Sequence, residues 1–197
     1  MDDAAFDRAL IAAAFQQAAA EGWRSVSVAG AARAASLPLA RARERFPGRA
    51  AILLRFGRLA DQAALTDAAS DGTARDRLFD LLMRRFDLLQ PHRDALRSIL
   101  RATRRDPLAA ACARSLARAM ASTLEAAGLS ASGLSGLVRV KGLSAIYLAV
   151  LRRWLGDESE DKAATMAMLD RLLNRAERGV ALLHCRRSRP EIAEAAA

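Results

Sequence analysis

Arginine is the residue type with the most to offer chemically. Residues 33 to 58 hold seven arginines against the single acid Glu44, a local excess of +6 in a chain whose formal charge is +9. A planar guanidinium suits bidentate contact with phosphate oxygens or a guanine edge, so a short helix carrying Arg41, Arg43 and Arg45, with Arg49 just after it, has the chemistry of a polyanion reader. At about 100° per residue Arg41 and Arg45 share one face, Arg43 points elsewhere, and Ala42 and Phe46 take the core positions. The overall charge alone carries less weight, because nearly all of it is arginine and only Lys141 and Lys162 are lysines.

Catalytic constellations are not apparent. His92 and His184 lie in different regions, and neither is spaced from a Cys, Ser or carboxylate as a base is from its nucleophile. His184 and Cys185 are adjacent, which sends their side chains apart on a helix. Cys112 and Cys185 make neither a metal site nor a disulfide framework. The acidic run DESED at 157–161 lacks the glycine and spacing of a calcium loop and reads as a turn and helix cap. No glycine-rich phosphate loop is present, so neither a cofactor nor a metal is expected, and the chain is expected to bind rather than catalyse.

Helices must position these groups. Ala, Leu and Arg dominate, Gly and Pro are few, and aromatics are 5% of the chain, which favours an all-α fold. Apolar positions Phe6, Leu10, Ala13, Ala14 and Phe15 mark a helix over 3–21, stopped by Gly22 and anchored by Trp23. Ser27 caps a second helix to about 35, a third spans 38–45, and Pro47 opens a fourth to about 68. SDGT at 70–73 reads as a linker in which Thr73 caps the next helix. Leu78, Leu82, Phe86 and Leu89 give that helix its apolar face, widened by Phe79 and Met83. Further helices are expected over 91–103, 107–127, 136–155 and 158–183, separated by Asp106-Pro107 and the run GLSASGLSG.

This divides the chain into a helix-turn-helix unit over 1–58, a helical ligand-binding and dimerisation domain over 59–183, and a frayed tail over 184–197. In the last helix Met166, Leu169, Leu173, Ala176 and Val180 recur at three-and-four spacing, a narrow seam for a partner helix, in the same chain or across a homodimer. The start of the sequence lacks a basic-then-apolar export pattern, and the longest apolar run, 143–151, falls short of the roughly 20 residues of a membrane span. A cytoplasmic protein is expected. The tail lacks the apolar face that membrane-surface binding requires.

Two resemblances sharpen the reading. Glu21-Gly22-Trp23, Ser25 to Val28, Ala34-Ala35-Ser36-Leu37-Pro38 and Phe46-Pro47-Gly48-Arg49 resemble the helix-turn-helix of the TetR-type repressor family. The resemblance implies a third helix in the DNA major groove, with Leu39, Arg41, Arg43, Arg45 and Arg49 as the DNA-contacting positions, and a homodimer whose reading heads respond to a hydrophobic ligand. The turn is degenerate: Ser36 stands where the family has Gly, Pro38 where it has a capping Ser, and Leu39 and Ala40 where polar residues or Gly approach DNA.

The stretches 76–99 and 141–176, with the order Tyr147, Asp157, Ser159, Asp161, Thr165 and Leu169-Asp170-Arg171-Leu172, resemble the C-terminal domain of the lipid-binding accessory family of ubiquinone biosynthesis, itself built on the TetR fold. That resemblance implies an isoprenoid lipid, a hydroxylase partner and a membrane surface in place of DNA. Met166 replaces the family's aromatic, and its final membrane-docking helix has no clear counterpart. Both families imply an apolar cavity in the second domain, for which Phe79, Met83, Phe86, Ile146, Tyr147, Val150 and Trp154 are the candidate lining. Two functions therefore stand side by side: a DNA-binding transcriptional regulator that answers to a hydrophobic small molecule, and a ubiquinone-biosynthesis accessory protein that no longer reads DNA.

Overall fold

The structure, a computed structural model, describes residues 1–66, 71–103, 108–159 and 161–187, with side chains to Val180. Its order is α1 (Asp3–Glu21), α2 (Val28–Ala34), α3 (Leu39–Arg45), α4 (Arg49–Leu65), α5 (Ala74–Leu89), a 3-10 turn (Gln90–His92), α6 (Arg93–Thr103), α7 (Leu108–Ala126), α8 (Gly133–Leu155) and α9 (Ala163–Arg187). The fold is all-α. The Asp106-Pro107 break, the side chains of His184 and Cys185 and most of the expected tail lie outside the described residues.

Local chemistry explains most of the boundaries. Asp2 caps α1 by accepting from the Ala5 N–H at 2.6 Å, and Ser27 caps α2 by accepting from Gly30 at 3.0 Å. Thr73 and Asp76 form a reciprocal capping box at the start of α5. Gly22 ends α1 at φ 92°, a conformation cheap only for glycine. The α7–α8 connection is tight: a Cβ on Gly136 would lie 2.1 Å from the carbonyl carbon of Ala131, so the loop can pack on α8 only because that residue has no side chain.

Two starts differ from expectation. The helix α8 begins at Gly133, three residues before 136, since Ser132 and Gly133 enter it without a break. The helix α9 begins at Ala163 instead of near 158, because Ser159 and Thr165 turn toward the Asp157 carboxylate ahead of it. That carboxylate is buried and accepts from the Ser159 hydroxyl at 2.6 Å, the Thr165 N–H at 2.8 Å and the Thr165 hydroxyl at 2.6 Å. The hydroxyls of Ser159 and Thr165 hold it well below the usual carboxylate range, although burial pulls the other way. Asp161 accepts from Ala163 at 3.0 Å and completes the cap. The Asp157, Ser159, Asp161, Thr165 order is thus a device that joins α8 to α9.

Ser36 has φ 54°, in the left-handed region, and its N–H donates to the Arg33 carbonyl while Leu37 donates to that of Ala32. This is a Schellman stop normally assigned to glycine. Left-handed backbone costs a non-glycine residue about 1–2 kcal/mol, partly offset by the greater freedom glycine has when unfolded. The substitution Ser36→Gly is therefore expected to stabilise the chain by about 0.5–1 kcal/mol, raising the melting temperature by roughly 1–4 °C in thermal denaturation.

One continuous core runs through both halves. It holds Phe6, Leu10, Phe15 and Ile52 on the amino-terminal side and Leu82, Phe86, Met120, Val150, Trp154 and Leu169 on the other. The connecting helix α4 packs on α1, α5 and α7, and α6 lies against α1. By length and composition α8 could cross a membrane, yet it gives Val140, Leu143, Tyr147, Val150, Leu151 and Trp154 to the core.

At the junction of the halves His92 sits edge-on to Phe15 (5.2 Å) and Phe56 (5.1 Å). Burial pushes its pKa below the ordinary 6.5 and favours the neutral imidazole. Since the folded value is the lower one, this stability is fully present above about pH 6.5 and is lost as the pH falls and the unfolded chain takes up the proton. Denaturant titrations at about pH 7.5 and 5.5 should give a fall in stability that is smaller in His92→Phe.

Candidate functional site

The third helix is held by ion pairs. Arg41 meets Asp3 at 2.6 Å, and its guanidinium lies 4.5 Å from the centre of the Phe6 ring. Arg45 pairs with Asp3 and Asp7, each at 2.7 Å, and Arg55 of α4 reaches the other oxygen of Asp7 at 2.7 Å. Asp7 is 1% exposed, which would raise its pKa, but the Arg45 and Arg55 guanidiniums outweigh that burial and keep it ionised. This clamp fixes α3 on α1 and pairs Arg41 and Arg45 with acids of α1, of which only Asp7 is buried. Arg49 turns back as well, donating to the Arg24 carbonyl at 2.9 Å.

The surface α3 leaves to solvent is Pro38, Leu39, Ala40, Arg43 and Glu44. Leu39 is 45% exposed, and Arg43 makes no ion pair among the described residues. One guanidinium beside one carboxylate gives this face no net charge. Of the five positions expected to touch DNA, only Leu39 and Arg43 belong to it. The inward turn of Arg41 and Arg45 could not be read from α3 alone, since it depends on acids 38 residues earlier, and that of Arg49 depends on a carbonyl 25 residues earlier. Pro38 contributes no side-chain cap, and Ser36 does not replace it.

In the second half, Phe86, Tyr147, Val150 and Trp154 are buried, whereas Phe79, Met83 and Ile146 are half-buried. The rings of Phe86 and Tyr147 stack with centroids 5.4 Å apart, and Phe86 meets Trp154 at 5.7 Å. These three rings fill one another's space between α5 and α8. The seven candidate residues line neither the groove beside Trp23 nor the one beside Arg55 that open on the described surface. The polar tips are satisfied as well: Trp154 Nε1 donates to Gln90 Oε1 at 3.0 Å, and the Tyr147 hydroxyl accepts from Arg85 Nε at 3.0 Å. Arg85 also pairs with Asp61 of α4, linking the connecting helix to α8 through side chains that sequence spacing did not single out.

The seam on α9 divides. Leu169 and Leu173 are 0% and 4% exposed in the chain's own core, while Met166 and Val180 are 40% and 43% exposed and Ala176 is exposed. Since α8 and α9 run antiparallel, the open carboxyl-terminal part of this seam lies at the same end of the hairpin as Leu134, Leu137 and Val138, which are 84%, 48% and 70% exposed.

Among the described residues no group of three or more His, Cys, Asp or Glu could hold a metal ion. His92 faces the phenyl rings of Phe15 and Phe56.

Known proteins share both the architecture and part of the sequence. A family model described as COQ9, the ubiquinone accessory family that the final helices resemble, matches residues 109–179. No curated protein is matched. Among solved structures, a TetR transcriptional regulator from Nitrosomonas europaea ATCC 19718 is 23% identical, with a TM-score of 0.75 over 88% of this chain and 99% of that one. A TetR transcriptional regulator from Rhodococcus sp. RHA1 is 14% identical, with a TM-score of 0.62 over 88% and 96% of the two chains. A tetR-family regulator from Streptomyces coelicolor is 17% identical, with a TM-score of 0.60 over 98% of this chain and 94% of the other. At these identities the likeness is one of fold: the chain has the TetR-type architecture, and its seventh to ninth helices carry a COQ9 match.

Proposed function

We propose that this chain is a non-catalytic accessory protein of ubiquinone biosynthesis: a TetR-type fold that binds an isoprenoid lipid or similar hydrophobic molecule, works beside a hydroxylase, and reads no operator. The observation that carries this choice is the direction of the arginines. Arg41 and Arg45 are paired with Asp3 and Asp7, and α3 offers solvent a face of Leu39, Ala40, Arg43 and Glu44 that lacks the cationic density a polyphosphate surface demands. The COQ9 match over 109–179 supports the same reading. In this proposal the lipid enters between α5 and α8 by parting Phe79, Met83 and Ile146, the half-buried members of the candidate lining, and the protein is a homodimer joined at the exposed end of the α8–α9 hairpin.

The regulator reading rests on the TM-score of 0.75 with the Nitrosomonas protein and on Arg43, which is exposed where a recognition helix would meet DNA. One experiment separates the two. Binding to genomic fragments, the protein's own upstream region among them, is followed from about 50 to 200 mM salt for the wild type and Arg43→Ala. Weak binding, equal for all fragments and gone at the upper salt, is expected, with an isoprenoid recovered by solvent extraction of the purified protein. Fragment-selective binding that Arg43→Ala abolishes would establish the regulator instead.

A further inference from the structure

The helix α9 lies on both α5 and α8 and so roofs the space between them. Its line of contact with α5 has a regular composition. On α5 the residues Arg75, Phe79, Met83 and Asp87 recur every four positions and form one ridge along the helix. Opposite them, Lys162 just before α9 and Met166 and Asp170 within it follow the same spacing. Ion pairs join the ends of the two rows in antiparallel order: Arg75 meets Asp170, and Lys162 meets Asp87. Phe79, Met83 and Met166 fall between these pairs. None of the three is fully buried, since Phe79 and Met83 are half-buried and Met166 is 40% exposed.

This line is made to part. The side chains of Asp87 and Asp170 are 57% and 48% exposed, and ion pairs in contact with water hold only weakly. Two of the three apolar members are methionines, unbranched side chains that repack readily around a guest. Lys162 has φ 55°, a left-handed conformation that is costly for lysine and persists where contacts fix it. The contact it serves is the one with Asp87, 75 residues away.

We infer that the line between α5 and α9 is the gate through which a long hydrocarbon chain reaches the space between α5 and α8, with Arg75–Asp170 and Lys162–Asp87 as its two latches. The inference rests on the lipid-binding reading above and adds the path and its control. A flexible chain slides between the methionines, and the latches close behind it without touching it. They are then the same in the empty and the loaded protein, so they set how fast the chain enters and leaves and do not alter its equilibrium affinity.

The test follows uptake of N-phenyl-1-naphthylamine, whose fluorescence rises in apolar surroundings, by stopped flow with the full chain. The wild type should take it up saturably, and faster as sodium chloride rises from about 50 to 500 mM, because salt screens both latches. The variant Asp87→Asn/Asp170→Asn keeps the side-chain shapes, removes both charge pairs, and should fold normally by far-UV circular dichroism. Its rates of uptake and release should both rise by roughly 3- to 10-fold, with Kd unchanged and the salt response gone. Conversely, in a chain carrying Cys112→Ser and Cys185→Ser, the pair Asp87→Cys/Lys162→Cys joined by a short cleavable bismaleimide should hold the gate shut, and reductive cleavage should restore uptake. Uptake that the linker leaves unaffected, or a charge variant that shifts Kd at constant rates, would overturn the gate while leaving lipid binding in place. No saturable uptake by the wild type would overturn both.

Discussion

Trp154→Ala should be among the most destabilising single changes in the molecule, at about 3–5 kcal/mol, the usual range for removing a buried large aromatic. Trp154 is 0% exposed, packs on Phe86, bonds Gln90 through its indole, and lies under the Arg93 guanidinium 5.2 Å from its ring centre. Removing it opens a cavity and takes away the donor that Gln90 Oε1 accepts from. Thermal denaturation should show a melting temperature lower by roughly 6–20 °C. A fall of less than about 3 °C would mean that α5 and α8 close over the gap, and the aromatic cluster would then be a yielding region instead of a fixed core.

The second large effect is at the arginine clamp. Asp7→Ala removes the carboxylate shared by Arg45 and Arg55 and leaves both guanidiniums, which are 25% and 29% exposed, without it. Breaking a buried pair costs about 3–5 kcal/mol, and the partial exposure of the arginines reduces this to about 2–4 kcal/mol. Chemical denaturation checks that figure. The same variant should bind DNA more tightly and without sequence preference, with a steeper dependence on salt, because the net positive charge beside α3 rises by one and Arg55 becomes available to phosphates while Arg45 keeps Asp3. If DNA affinity is unchanged while stability falls, the α3–α4 face would be shown not to approach DNA even with its charge raised.

Helix positions were legible because their causes are local. Asp3 to Glu21 is a helix that Gly22 ends, Ser27 and Thr73 cap the second and fifth helices, and Phe6, Leu10 and Phe15 fall on the face that the period assigns to the core. The partners of surface-patterned residues were not legible. The spacing of Arg41 and Arg45 correctly put them on one face, but that face meets Asp3 and Asp7, and acids in a first helix carry no mark of the third helix they pair with. The seam on α9 hid its division for the same reason: Leu169 and Leu173 have the same period as Ala176 and Val180, and only the length of the neighbouring helices decides which are covered by the chain itself. The acidic turn was recognisable as a cap, but the burial of Asp157 and its grip on Thr165 delayed α9 by five residues.

The position of α6 has a mechanical consequence. At one end Arg93 and Arg97 hold carbonyls at and just after the end of α8, and at its middle Ser98 holds the turn after α1. Ser98 lies five residues from Arg93, about 7.5 Å along the axis, so a tilt of about 10° about the Arg93 end moves it by about 1.3 Å. Added to the 2.8 Å of the Trp23–Ser98 hydrogen bond, that displacement is enough to carry it past bonding distance. The helix is therefore a short stiff lever whose fulcrum is the end of α8, and a small repacking around Trp154 reaches the helix-turn-helix unit as a motion large enough to unlatch it.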